Sequence, residues 1–375
     1  MRFFSFALSA VAACGVAYLG VALFAASRFS RRKVGEPRTL PGISILKPVH
    51  GLDVELLENL CSFCEQDYPE FQVVFGVQRN DDPAIEVIRR VIERYPELDL
   101  SLVVRQSAVS GNPKIANVAN MMPLVKHPIL TIVDSDMRVD RDYLRSLAAQ
   151  FDDSSVGAVT CLYEAVPRGG FASQLAAMGI NEQFAPSVLV AALGAMRFCF
   201  GSTMSVRSDV LAEIGGVAAL APHLADDYML GALVSSHGYR VALSRYVVRN
   251  IICEPDIGEL WHHEVRWGRT IRLQRRFGYA ASVVTYPLPF ALLSFFGGNP
   301  VVALALTAVA FGLRVALQRR MHTVFSSRVP TPWLIPLRDV FGVGVWVGSY
   351  FGRNVRWRTE ALAIDTVGRV ERGIR

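Results

Sequence analysis

Two kinds of hydrophobic pattern divide the chain. Residues 3–26 are 24 consecutive positions without a charge, followed at once by Arg28, Arg31, Arg32 and Lys33. A helix of that length crosses a bilayer core, and the basic flank favours keeping its C-terminal side in the cytosol. A secretory signal would have a shorter apolar core with its charge in front, whereas only Arg2 precedes this run. Uncharged blocks return at 280–297 and 300–313, joined through Gly298 and Asn299, a pattern that predicts a tight helical hairpin. The second block reaches a full span only by continuing past Arg314. A last block, 333–351, is interrupted by Arg338 and Asp339. It predicts a re-entrant or interfacial stretch, or a span whose charge pair faces protein. Its Gly344, Gly348 and Gly352 recur every fourth residue, which permits close helix contact.

Between these ends the pattern shortens. Apolar runs at 43–46, 71–77, 100–104, 128–133 and 156–162 alternate with helix-like segments such as 54–65 and 83–94. Such alternation predicts an α/β domain with a largely parallel sheet, whose ligands bind beyond the carboxyl ends of the strands.

Composition agrees with a soluble domain joined to membrane segments: 51% of residues are hydrophobic and the mean hydropathy is +0.30. The net charge of +6 does not point to nucleic acid. Basic residues cluster at 28–33, 266–276 and 353–375, beside the apolar blocks, where anionic headgroups attract them. No face interleaves aromatic and basic residues, so no nucleic-acid partner is expected. Of six cysteines only Cys61 and Cys64 are close, and a lone CxxC also fits one helix face, so zinc is not expected.

The candidate chemistry begins with ILTIVDSDMRVD, residues 129–140. An apolar strand here ends in Asp134 and Asp136, which alternation along an extended chain places on one side. Carboxylates so close oppose each other's ionisation unless a cation stands between them, and a divalent metal with oxygen ligands meets that need. Such a metal, magnesium or manganese, bridges protein carboxylates to a diphosphate and neutralises it as a sugar departs from a nucleotide. The plainer alternative is a turn before a helix near Arg141. Earlier in the chain, Asp82 before Pro83 suits a nucleotide contact or a helix cap, and Lys114 suits a cation for the nucleotide or a solvated surface. Asp226 with Asp227 suits a general base or a helix start. Arg266 with Trp267 suits a diphosphate clamp or a basic interfacial helix. Residues 184–200, apolar but for Arg197, suit either a lipid-receiving surface or plain core.

The ordered blocks ISILKPVHGLD, QVVFGVQRNDDPA, GNPKIANVANMM, DSDMRV, FGSTMSVRSDVLAEIGG, HLADDYMLG and EVRWGRTIR resemble those of the ceramide glucosyltransferases, glycosyltransferase family 21. The segments TCLYEAVPRGGF and INEQFAPSVLV look like the bacterial branch associated with hopanoid biosynthesis. The family's three aspartate positions and final (Q/R)xxRW motif fall on Asp82, on Asp134 with Asp136, on Asp227, and on Arg266 with Trp267. Two positions depart from the pattern: His263 stands first in the last motif, and Arg79 stands where an acidic residue is expected.

The resemblance implies a GT-A, Rossmann-like catalytic domain with an N-terminal transmembrane helix and C-terminal transmembrane or interfacial helices. It implies a UDP-sugar donor (glucose or N-acetylglucosamine), a divalent metal, and inverting transfer to a lipid hydroxyl of a hopanoid polyol or ceramide. Within it, Asp82, Lys114, Asp134 and Arg266 are expected to bind the donor, Asp134 and Asp136 the metal, and Asp227, Asp226, Arg266 and Trp267 to serve catalysis. The expected organisation is an anchor with its basic flank at 1–33, a cytosolic catalytic domain at 41–279, membrane helices at 280–352 and a basic tail at 353–375. The expected location is the inner (plasma) membrane, as a multi-pass protein with a cytosolic catalytic domain. Two rival functions differ in what they require. A processive polysaccharide synthase needs enough spans for a channel. A membrane metal carrier needs acidic residues inside the spans, where only Asp339 falls.

Overall fold

The computed structural model describes residues 2–32, 35–106, 111–327, 332–351, 354–357, 360–364 and 370–371. The chain folds as two compact units. One comprises Lys33–Val166, Ala195–Cys253 and Trp357–Arg375, and the other Met1–Arg32, Pro167–Gly194 and Glu254–Arg356.

The first of these is built on an eight-stranded sheet: β1 (Ile43–Pro48), β2 (Phe71–Val77), β3 (Asp99–Val104), β4 (Ile129–Ile132), β5 (Met137–Arg138), β6 (Val156–Pro167), β7 (Met204–Arg207) and β8 (Arg240–Ile252). The strand order is β3-β2-β1-β4-β7-β6-β8-β5. Four of the five strands expected from sequence are parallel, with β1 between β2 and β4 and β2 beside β3, while the fifth, at 156–162, is part of β6 in the other half. The other half corrects the expectation of a largely parallel sheet. There β7 runs antiparallel to both β4 and β6, and β5 antiparallel to β8.

Helices cover the parallel half for the reason their sequences give. Helix Ala84–Arg94 buries Ala84, Ile85, Ile88 and Val91 along one stripe, and Leu56–Cys64 buries Leu60, Phe63 and both cysteines. These pack with Ile43, Ile45, Val73, Phe75, Tyr143 and Leu147 into one apolar core. The CxxC pair is therefore a buried helix face, as the absence of a second pair implied.

The other unit is helical. Helices Phe3–Ser30 and Pro300–Phe325, of 28 and 26 residues, are long and apolar enough to cross a membrane by length and composition. Asn299 caps the second by accepting from the Val301 and Val302 amides. That helix continues through Arg314, whereas the expected first arm of the hairpin breaks into Arg276–Ala281, a 3₁₀ turn Ser282–Thr285 and Pro287–Leu293. Pro287 and Pro289 withhold the N–H groups that would carry one helix across.

The last apolar block forms helix Ile335–Gly348, whose 14 residues rise about 21 Å, short of a full span. Its charge pair faces protein, since Arg338 and Asp339 are buried. Gly344 and Gly348 let the Trp261 ring lie against this helix, where added Cβ atoms would stand 3.2 and 2.9 Å from the indole. Gly352, Lys33 and parts of the expected tail lie outside the described residues, within which Ala363 pairs with Glu371 and Ile364 with Val370 in antiparallel register.

Candidate active site

The site in the sheet unit is assembled at the carboxyl end of β1 and β4. These strands are paired through Leu46 and Ile132, so the next residues of each chain emerge side by side. Lys47 is fully buried in β1, lies 3.8 Å from the centre of the Phe63 ring, and donates from Nζ to the Asp134 carbonyl at 2.6 Å. Burial pulls its pKa down to about 7, against the carboxylates of Asp136, Asp134 and Asp53, which favour the charged form.

Beyond Ile132 the chain leaves the strand and turns, the Met137 amide donating to the Asp134 carbonyl at 3.4 Å. Strand alternation therefore does not describe Asp134–Ser135–Asp136, and the two carboxylates reach different partners. Asp134 Oδ1 lies 2.7 Å from Lys114 Nζ, and Asp136 Oδ2 accepts from Asn250 Nδ2 at 2.8 Å. Ser135 Oγ donates to Asp53, which brings a third carboxylate to the turn. Asp136 is pushed up to about 7 by burial and then by the negative charges of Asp134 and Asp53.

Lys114 enters from helix Pro113–Met121, which opens with Pro at its first position and is capped by Asn112 accepting from the Lys114 and Ile115 amides. Its ammonium also lies 3.2 Å from Asp226 Oδ2, so one buried cation joins two aspartates 92 positions apart in sequence. Burial opposes that charge, but Asp134 and Asp226 outweigh it and raise the lysine's pKa.

Asp226 and Asp227 open helix Asp226–Ser236, where carboxylates complement the helix dipole. Asp226 accepts from Asn112 Nδ2 at 3.0 Å. Asp227 accepts from the Gly201 amide at 3.2 Å and the Tyr228 amide at 2.7 Å. Burial, then the Asp226 charge, pushes Asp227 up to about 7. Gly201 also lies against the neighbouring carboxylate, since a Cβ there would stand 2.3 Å from Asp134 Oδ2.

Asp82 follows β2. It accepts from the Gly51 amide at 3.0 Å and the Ala84 amide at 2.9 Å, so it caps its helix and ties down the loop after β1. Arg79, the unexpected basic residue, pairs with exposed Asp81.

The structure thus groups Lys114, Asp134, Asp136, Asp226 and Asp227, with Asp82 at the end of a neighbouring strand. Arg266 and Trp267 belong to the helical unit, on helix Ile257–Gln274. There His263 Nδ1 and Glu254 Oε1 are 2.8 Å apart, and the His263 and Trp267 rings lie 4.3 Å apart. Sequence reasoning missed Lys47, Asp53, Asn112, Gly201 and Asn250. Lys47 left a signal, a lysine inside the apolar run ISILKP, and the others left none without the fold.

The donor set fits a hard divalent ion: all oxygen, doubly carboxylate, and mutually repelling without a cation. Among the described residues no three His, Cys, Asp or Glu side chains stand close enough to hold an ion by themselves. Asp134 and Asp136 could hold such an ion only together with oxygen ligands from outside these side chains.

The chain is similar to known proteins over most of its length. The model of glycosyl transferase family 21 matches residues 7–370. Ceramide glucosyltransferase 3 of Caenorhabditis elegans is 23% identical over 350 residues, covering 90% of this chain and 76% of that protein. Ceramide glucosyltransferase 1 of the same organism is 28% identical over 247 residues, covering 64% of this chain and 53% of that protein. The solved mannosyltransferase PcManGT from Pyrobaculum calidifontis, in complex with GDP-Man and Mn2+, superposes with a TM-score of 0.52 at 20% identity. The match covers 92% of this chain and 99% of that one, and shows that the two share a fold, the GT-A type. With a nearly full-length family match, the chain belongs to glycosyltransferase family 21 and is a glycosyltransferase.

Proposed function

We propose that the protein transfers a sugar from a UDP-sugar to a lipid hydroxyl with inversion at the anomeric carbon. The observation that carries this reading is Asp227: a carboxylate at a helix start, fixed by two backbone amides, with a pKa of about 7, beside the Asp134–Lys114–Asp226 cluster. A base poised near neutrality suits removal of a proton from an alcohol.

In the reaction, the acceptor oxygen attacks the anomeric carbon while its proton passes to an Asp227 carboxylate oxygen. The bond between that carbon and the diphosphate breaks, and its electron pair leaves with UDP. A divalent ion on Asp134 and Asp136 would supply neutralisation of the leaving diphosphate. Asp226 and Asn112 hold Lys114 and Asp227 in register, Lys114 contributes positive charge to the donor site, and Asp82 fixes the loop that borders it. Arg266 is assigned stabilisation of the departing diphosphate, with Trp267 shaping its surroundings, as the family pattern implies.

The acceptor is assigned as a hopanoid polyol or ceramide, and the donor sugar as glucose or N-acetylglucosamine. The two long apolar helices and the basic residues after the first support a protein of the inner membrane, multi-pass, with the sheet unit in the cytosol. The test is incubation of purified protein with radiolabelled UDP-sugars, ceramide and hopanoid polyols, and identification of the product. A singly glycosylated lipid supports the proposal. Polymer, or no transfer from any UDP-sugar, overturns it.

A further inference from the structure

The helical unit buries an ionic network that the proposed chemistry does not use. Arg338 grips Glu264 through both oxygens, Nη1 to Oε1 at 2.9 Å and Nη2 to Oε2 at 2.8 Å. Its Nε donates to Gln183 Oε1 at 3.1 Å, and Gln183 Nε2 donates to Asp339 Oδ1 at 3.1 Å. Asp339 Oδ1 also accepts from Arg314 Nη2 at 2.8 Å, while Arg314 Nη1 donates to the Glu182 carbonyl at 2.8 Å. Four segments are joined in this way: helices Ile257–Gln274, Pro300–Phe325 and Ile335–Gly348, and the π-turn Ile180–Phe184.

Two features show that the backbone accommodates this network. A π-turn interrupts regular helix where Glu182 and Gln183 join it. Gly179 lies against the guanidinium, since a Cβ there would stand 2.5 Å from Arg338 Nη2.

Stability does not explain such an arrangement, because buried ion pairs commonly gain little over apolar residues of the same size. Geometry does. A two-pronged fork fixes both the rotation and the height of the helix it grips. Leu260, Glu264, Val265 and Gly268 are the buried face of helix Ile257–Gln274. Arg266 is two residues from Glu264, about 200° around the helix, so it projects from the opposite side.

We infer that Glu264 and Arg338 are positioning residues for Arg266: their fork sets the angle at which helix Ile257–Gln274 presents that arginine. This rests on the role assigned to Arg266 above. A helix with side chains has a radius of about 6 Å, so a 10° rotation displaces a side-chain head by about 1 Å. Misplacement of that order costs on the order of 100-fold in rate.

The experiment is a double-mutant cycle on full-length protein, with kcat, donor KM and the thermal midpoint measured for each variant. Arg338→Lys keeps the charge and loses the fork. It is expected to lower kcat by about 10- to 100-fold with donor KM within about twofold of wild type. In an Arg266→Lys background, the same substitution should lower kcat by less than about threefold, because its effect passes through Arg266. A purely structural role would instead give equal losses in both backgrounds, which overturns the inference, as does Arg338→Lys with wild-type kcat. If Arg338→Lys does not fold, Glu264→Gln replaces it in the same cycle with the same expected outcomes. Arg266→Lys alone separates the two levels of argument: wild-type kcat there defeats the assigned role of Arg266, whereas a loss there without coupling to Arg338 defeats only the positioning role.

Discussion

The acid limb of the pH profile should belong to Asp227. Its ordinary pKa of 3.8 would leave the base ionised throughout the physiological range, but burial and then the Asp226 charge push it up to about 7. Protonation removes a base, so turnover reaches its plateau above about pH 8, is halved near pH 7 and falls further as pH drops. At pH 6 about one molecule in ten retains the ionised base, and at pH 5 about one in a hundred, so kcat at pH 5 should be about 100-fold below its plateau. With an unperturbed carboxylate the loss at pH 5 would be under about 10%.

Asp136 is also pushed up to about 7, and a bound cation would draw its pKa down, so raising the metal concentration moves a limb set by Asp136 and leaves one set by Asp227 in place. The assay is single-turnover transfer from pH 5 to 9 at a limiting and a saturating metal concentration, with Asp226→Asn and Asp227→Asn in parallel. Removing the neighbouring negative charge favours ionisation of Asp227, so Asp226→Asn should shift the limb toward lower pH. Asp227→Asn should lower kcat by about two to four orders of magnitude with donor affinity near normal. Turnover that stays flat to pH 5, or a limb unmoved by Asp226→Asn, would refute the assignment. If Asp226→Asn alone abolished chemistry with donor binding intact, the base would be Asp226.

Three further outcomes follow from the structure. Asp134→Ala and Asp136→Ala should each abolish metal-dependent turnover while the far-ultraviolet circular dichroism of the purified variants stays unchanged, and chelation should silence the wild type until magnesium or manganese is restored; wild-type activity in either variant would reduce the motif to a turn. Gly179→Ala should destabilise the helical unit by about 1–3 kcal/mol, read as a lower thermal midpoint, because its Cβ would stand 2.5 Å from Arg338 Nη2. A single cysteine at exposed Glu70, in a cysteine-free background, should resist an impermeant thiol reagent in intact cells and react after lysis, since the sheet unit is assigned to the cytosol.

Local pattern made the parallel half of the sheet legible. Residues 71–77 are a strand in sequence and in structure, and 83–94 differs from helix Ala84–Arg94 by one residue, because period and punctuation are properties of neighbours along the chain. The same locality explains the long apolar helices and the placement of two aspartates just beyond β4. Residues 156–162 were also read as the strand that begins β6, but the antiparallel direction of that half was not legible: an apolar strand reads alike whichever way its partner runs, and β7 reaches β4 from 72 positions on, Ile132 opposite Met204.

Only the tertiary structure decided what each charge does. Asp134 and Asp136 look equivalent in sequence, yet one meets Lys114 and the other Asn250, because the chain turns between them. Lys47 reads as a misplaced lysine until β1 and β4 align it beneath the Asp134 carbonyl. Arg338 and Asp339 read as a costly pair in an apolar segment, and they prove to bind Glu264 and Arg314, not each other. Chemistry-bearing residue types and their spacing are local, and the sequence carries them openly. The partner that sets a carboxylate's charge, or the angle of an arginine, arrives from a distant segment. Its approach is fixed by packing, which no local window of sequence contains.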